Sequence, residues 1–102
     1  MTDVVPDDKD MAGPVLRGGE IAHTAIEAIK ADNPEKRIKV EDHGSYVRVE
    51  APGGLVIRRA TMERILGRPF RMQELEVNLS GFSGKIETDE NQMRWFFKRK
   101  IP

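Results

Sequence analysis

Few residues in this chain have the types and spacing that could do chemistry. Glu20 and His23 stand three apart in a run that reads as helix, so they would share one face. That is the spacing of half a carboxylate-bridged di-iron site. A complete site needs a second Glu-x-x-His and further carboxylates from neighbouring helices. The chain has two histidines, and the position three before the second, His43, is Val40. Glu20 and His23 are therefore read as solvated helix surface. Glu41, Asp42 and His43 offer carboxylate and imidazole for acid–base work. Neighbours on a strand point to opposite faces, however, and "EDHG" is better explained as a hairpin turn.

Other chemistries fare no better. Ser45, Ser80 and Ser83 are hydroxyls with no base fixed beside them. "RGGE" and "PGGL" have glycines but lack the P-loop lysine and the dinucleotide spacing. The ending "RWFFKRKI" interleaves aromatics with Arg94, Lys98, Arg99 and Lys100, which could stack bases and neutralise phosphates. A buried last strand with a solvated basic end explains it equally. The balance of 17 basic and 17 acidic residues favours that plainer reading.

The 102 residues suffice for one small core. With no cysteine, disulfides and thiolate chemistry are excluded, and a cytoplasmic location is expected. The start, "MTDVVPDDKD", is acidic without an apolar core, unlike a signal peptide. No run is apolar enough to span a membrane. Residues 1–12 are read as a flexible acidic tail and 13–102 as one domain.

The elements that would position these residues follow from periodicity. "GPVLRGG" (13–19) reads as a short strand. Ile21, Ala22, Ala25, Ile26, Ala28 and Ile29 form one helical stripe, stopped by Asp32, Asn33 and Pro34. "RIKVEDHGSYVRVEAPGGLVIRR" reads as three strands on short turns, predicting an antiparallel meander. Thr61 is expected to cap a helix that Gly67 ends. A helical turn is expected at 72–76, running into an extended segment. "GFSGKIET" and "QMRWFFK" around "DEN" predict a C-terminal hairpin. The result is a cofactor-free α+β domain without catalytic equipment.

"DNP", "RIKVED" and "YVRV" (residues 32–49), followed by "LGRPFRMQELEVNLSGFSGKIETDENQMRWFF" (66–97), resemble the effector, or coupling, proteins of bacterial multicomponent di-iron monooxygenases. The resemblance is strongest to the toluene and related aromatic monooxygenase type and runs from Gly13 to Phe97. It implies a compact α+β fold with two small, mainly antiparallel sheets packed with two to three helices. It also implies a protein without metal, flavin or other prosthetic group. Such a protein binds a separate di-iron hydroxylase, alters its active site, and couples electrons from an NADH reductase, often through a ferredoxin, to hydroxylation.

On this reading one face should be committed to the hydroxylase. Polar residues set in apolar runs are the candidates: Asn33, Arg68, Gln73, Asn78 and Ser80, with Phe82 as an anchor. Phe70, Leu75, Ile86, Trp95 and Phe97 are expected in the core. The rival reading is a small nucleic-acid-binding module using the C-terminal basic aromatics. A stand-alone enzyme built on Glu20, His23 or His43 comes third.

Overall fold

The apolar stripe at 21–29 forms a helix because its spacing gives one buried side. The structure, a computed structural model describing residues 10–97, shows α1 at Glu20–Asp32. Ala22, Ala25, Ala28 and Ile29 are fully buried, and Ile21 and Ile26 pack at the margin. Glu20 lies in the first turn and Lys30 in the last, each favourable to the helix dipole.

Among the described residues seven strands make two antiparallel sheets. The first has the order β2-β3-β1-β5, with β1 at Met11–Arg17, β2 at Lys39–Asp42, β3 at Tyr46–Pro52 and β5 at Leu79–Ser83. The second has the order β4-β7-β6, with β4 at Gly54–Arg58, β6 at Lys85–Thr88 and β7 at Gln92–Phe96. Two short helices, α2 (Arg59–Leu66) and α3 (Met72–Glu76), lie between β4 and β5. This is the α+β arrangement of two sheets and three helices that the sequence led one to expect.

Four expectations are corrected. β1 begins at Met11, and Ala12 is fully buried, so the folded body starts before the boundary drawn at residue 13. The rest of the expected tail, residues 1–9, lies outside the described residues. The three strands are not one meander: β2 and β3 pair, but β4 leaves for the second sheet and pairs with β7. "GFSGKIET" is not one strand either. It divides at Gly84 into β5, paired with β1, and β6, paired with β7. Thr61 lies inside α2, which starts at Arg59.

Both sheet changes rest on glycine for the same reason. Gly54 and Gly84 have positive φ and lie against the end of β7. A Cβ on Gly54 would sit 2.0 Å from the Trp95 carbonyl oxygen, and one on Gly84 would sit 2.6 Å from that of Phe96. The chain can therefore fold one sheet over the other with β1 facing β7. Leu16, Val47, Val49 and Ala51 from the first sheet meet Leu55, Ile57, Met93 and Trp95 from the second. Phe70, Met72 and Leu75 close the core from the α2–α3 region.

Two side chains fasten α1 to the second sheet. The Asp32 carboxylate accepts the Arg58 N–H at 2.9 Å and the Thr61 hydroxyl at 2.6 Å. It thus ties the start of α2 to the end of α1, while α2 itself has no side-chain cap. Asn33 bonds to both backbone groups of Val56.

Candidate functional site

The residues with catalytic types are scattered. Glu20 and His23 are exposed on α1. His43 stacks on Tyr46 with ring centroids 4.6 Å apart, while Asp42 Oδ1 accepts the Gly44 N–H at 2.8 Å. "EDHG" is thus a self-contained turn between β2 and β3. Among the described residues no three of His, Cys, Asp and Glu converge as metal ligands. The described residues form shallow depressions of about 190 Å³, beside Gly54 and Phe96, and about 290 Å³, beside Met11 and Pro52. Both are open to solvent and lie at or below the roughly 300 Å³ where ordinary ligand pockets begin.

What the structure does build is a polar hook at residues 67–78. Gly67 ends α2 in the left-handed conformation, φ 73°, and its N–H donates to the Glu63 carbonyl. The chain then doubles back. Glu63 Oε2 accepts the Phe70 N–H at 2.9 Å, seating the Phe70 ring in the core. Glu74 Oε2 accepts the Arg71 N–H at 3.1 Å and so caps α3. The same carboxylate takes Arg68 through both terminal nitrogens, at 3.2 and 3.5 Å. The backbone bond from Arg71, followed by the bond from Arg68, holds the Glu74 carboxyl below the usual carboxylate range.

Asn78 closes the hook. Its Nδ2 donates to the Glu74 carbonyl at 2.8 Å, and its own carbonyl accepts the Arg17 N–H at 2.8 Å. The last turn of α3 is satisfied by this side chain and tied to the end of β1. β5 follows as an edge strand, with Ser80 and Phe82 exposed.

The six residues expected to meet a partner therefore separate. Gln73, Ser80 and Phe82 face outward, and Phe82 is 45% exposed. Arg68 is exposed but held by Glu74. Asn78 is half-buried and occupied as a helix-end cap. Asn33 is corrected outright: it is 7% exposed, and its amide is spent on Ile29 and Val56. Of the expected core, Phe70, Leu75 and Trp95 are buried and Ile86 packs at its margin. Phe97 is a second correction, lying 41% exposed beyond the end of β7.

Sequence reading missed Val77, the most exposed large hydrophobic described, at 68%. The alternation Leu75, Val77, Leu79 hid it, because it puts Val77 in phase with inward residues. The helical spacing Met72–Leu75 was the better guide, since it turns position 77 away from the core. Ile65, exposed on α2, was missed for want of any signal.

The chain matches the MmoB/DmpM family model over residues 10–96, nearly all of the described body. It is 37% identical, over 89% of its length and 90% of the relative's, to an alkene monooxygenase effector subunit of Xanthobacter autotrophicus (strain ATCC BAA-1158 / Py2). Identity is also 37% to the phenol 2-monooxygenase stimulatory component DmpM of Pseudomonas sp. (strain CF600), over 70% of this chain and 77% of that one. Among solved structures it resembles a chain of a phenol hydroxylase–regulatory protein complex. The TM-score is 0.73 at 26% identity, covering 86% of this chain and 99% of that one.

Proposed function

The chain belongs to the MmoB/DmpM family, and from that premise we propose how it acts. It is a regulatory component of a multicomponent monooxygenase and not a catalytic one. Its partner is the hydroxylase. The observation that carries this reading is the end-to-end match to a named effector subunit, 37% identical over 90% of that protein.

The finer reading is that the partner is a di-iron hydroxylase of the toluene-type aromatic class. Binding reorganises the hydroxylase active site, so that NADH-derived electrons, delivered through a reductase and ferredoxin in the cytoplasm, go into substrate hydroxylation. The strength of the resemblance at residues 66–97 supports the aromatic class. An alkene hydroxylase is the class suggested by the relative matched over most of its length.

Such a protein works by binding one hydroxylase conformation better than another, and it can shift the equilibrium only by that difference. Couplings of roughly 1–3 kcal/mol change affinities by about 5- to 150-fold. A standard interface takes about 800 Å² from each partner, roughly an eighth of this chain's 6554 Å². Gln73, Ser80 and Phe82 are the sequence candidates whose exposure suits them to that contact, with Arg68 beside them.

Titration into a reconstituted toluene-oxidising system of hydroxylase, reductase and ferredoxin tests the proposal. Product per NADH and turnover should both rise and then saturate; flat curves for both overturn it. The nucleic-acid reading has no observation in its favour. Arg94 is occupied by Glu87 at 2.6 Å and by the Phe96 ring at 4.3 Å, while Lys98, Arg99 and Lys100 lie outside the described residues.

A further inference from the structure

Charge is distributed unevenly over the surface although the chain is neutral. On the outer face of the first sheet, cations and anions answer one another. Lys39 pairs with Glu41 at 3.6 Å, and Arg48 pairs with Glu41 at 3.8 Å and Glu50 at 3.3 Å. Ser83 donates to Glu50 at 2.7 Å. On the outer face of the second sheet, Glu87 takes Arg94, and nearby Asp32 takes Arg58. Other cations, Lys30, Lys36, Arg37, Arg59 and Lys85, make no ion pair among the described residues but have no cluster of exposed hydrocarbon around them.

At the corner formed by α2, α3 and β5, cations without an ion pair do lie beside exposed hydrocarbon. Arg17, Arg64 and Arg71 make no ion pair among the described residues. The acids that could answer them are turned to the backbone. Glu63 is spent on the Phe70 N–H, and Glu74 is shared between Arg68 and the Arg71 N–H. Glu76 alone is left. Arg17 joins this corner through its N–H bond to Asn78.

The same corner carries exposed hydrocarbon. Of the six exposed large hydrophobics, Ile65, Val77 and Phe82 fall within residues 65–82. Of the others, Tyr46 lies opposite Arg17 in the β1–β3 register, while Val40 on β2 and Phe97 beyond β7 lie elsewhere. An apolar centre with arginines around it and little entropy left in its hook is the composition of an interface core with a cationic rim.

We infer that the α2–α3–β5 corner is the docking face and that its occupant is an acid-rimmed apolar strip on the hydroxylase. Carboxylates of that strip meet Arg17, Arg64 and Arg71, and its hydrocarbon receives Val77 and Phe82. The inference rests on the effector reading and specifies the partner chemistry which that reading leaves open. It also assigns Arg68 an internal part, clamping the hook through Glu74, with the free arginines around it making the contact.

The test is the affinity of the full chain for the purified hydroxylase of its own system, measured at low and moderate salt. Arg64→Glu and Arg71→Glu should each weaken binding about tenfold at low salt, and the loss should shrink as salt rises. Arg37→Glu, a reversal beside β2 at the opposite edge of the first sheet, should bind as wild type. If Arg71→Glu unfolds α3, then Arg64→Glu and Val77→Ser, both at exposed positions, decide the matter. Equal affinity for wild type, Arg64→Glu and Val77→Ser overturns the inference while leaving the effector function standing. So does an equal loss in Arg37→Glu. A wild-type chain that neither binds nor stimulates the hydroxylase removes the functional reading and this inference together.

Discussion

Asn33 and Val56, 23 residues apart, bond to one another as two strands would. Asn33 Nδ2 donates to the Val56 carbonyl at 2.7 Å, and the Val56 N–H donates to Asn33 Oδ1 at 3.0 Å. A second donation from Nδ2 reaches the Ile29 carbonyl at 2.7 Å, satisfying the end of α1. β4 is an edge strand, so the Val56 groups that Asn33 takes are those turned away from β7. One amide side chain thus closes a free sheet edge and fixes the helix that covers it. Unpaired edges invite further strands, and covering them is how folded proteins limit that.

Replacing this amide should therefore cost more than its size suggests. Asn33→Ala leaves three backbone groups without partners and should destabilise the protein by about 3 kcal/mol. Asn33→Asp keeps the shape but sets a carboxylate against the Val56 and Ile29 carbonyls. It should be at least as damaging at neutral pH and recover partly in acid, once its carboxyl is protonated. Thermal melts of both variants at two pH values check this ordering; a milder Asp variant at neutral pH would contradict it.

The glycines at the sheet changes give a second expectation. Gly54→Ala and Gly84→Ala force a Cβ into the β7 backbone at positive φ, and each should cost about 3 kcal/mol. Gly44 also has positive φ, 82°, but nothing lies within 4 Å of its would-be Cβ. Gly44→Ala should cost only about 1 kcal/mol, the conformational term alone. Melting temperatures should separate the two classes by roughly 10 °C.

Glu74 gives the hook a pH dependence. Its carboxyl is held below the ordinary value by the Arg71 N–H and then by Arg68, so the charged form is the one the folded state favours. A carboxylate depressed by folding contributes stability above its unfolded pKa, and loses it as pH falls through the folded value. The advantage of wild type over Glu74→Gln should accordingly be present at neutral pH and vanish on acidification below the normal carboxylate range. Chemical denaturation across that range measures it, and NMR titration of the Glu74 carboxyl should show the lowered midpoint.

Local signals made the helices legible. The alanine and isoleucine stripe gave α1 its bounds, Gly67 ended α2, and the aromatic β7 paired with β6 as a hairpin. Sheet membership was not legible. Leu55 and Ile57 alternate with Val56 and Arg58 in the same way whether β4 pairs with β3 or with β7. What decides is the close approach of Gly54 to Trp95, a contact 41 residues away in sequence. The site fared similarly. "DNP" looked like a helix stop with a polar residue to spare, but Asn33 is claimed by Val56. Thr61 looked like a cap, but α2 starts at Arg59 and the Thr61 hydroxyl is turned to Asp32. Residues whose partners are distant in sequence carry no sign of them in their neighbours, so Phe82 and Gln73 could be placed outside while Asn33 and Phe97 could not.

Val77 and Phe82 offer the cleanest separation of binding from stability. Both are exposed apolar side chains, and surface substitutions away from caps and ion pairs usually change stability by less than about 0.5 kcal/mol. If they sit at the centre of the contact with the hydroxylase, truncation removes buried area there. Loss at a central apolar anchor costs about 1–2 kcal/mol, or roughly 5- to 30-fold in affinity. Val77→Ser should thus melt with wild type and Phe82→Ser, whose ring is more than half covered, somewhat below it, yet both should need roughly 5- to 30-fold more protein for half-maximal stimulation of the hydroxylase. Val40→Ser, an exposed change on β2 at the opposite edge of the first sheet from β5, should leave stimulation intact. Loss of stimulation in Val40→Ser but not in Val77→Ser or Phe82→Ser would move the contact to the opposite edge of the first sheet.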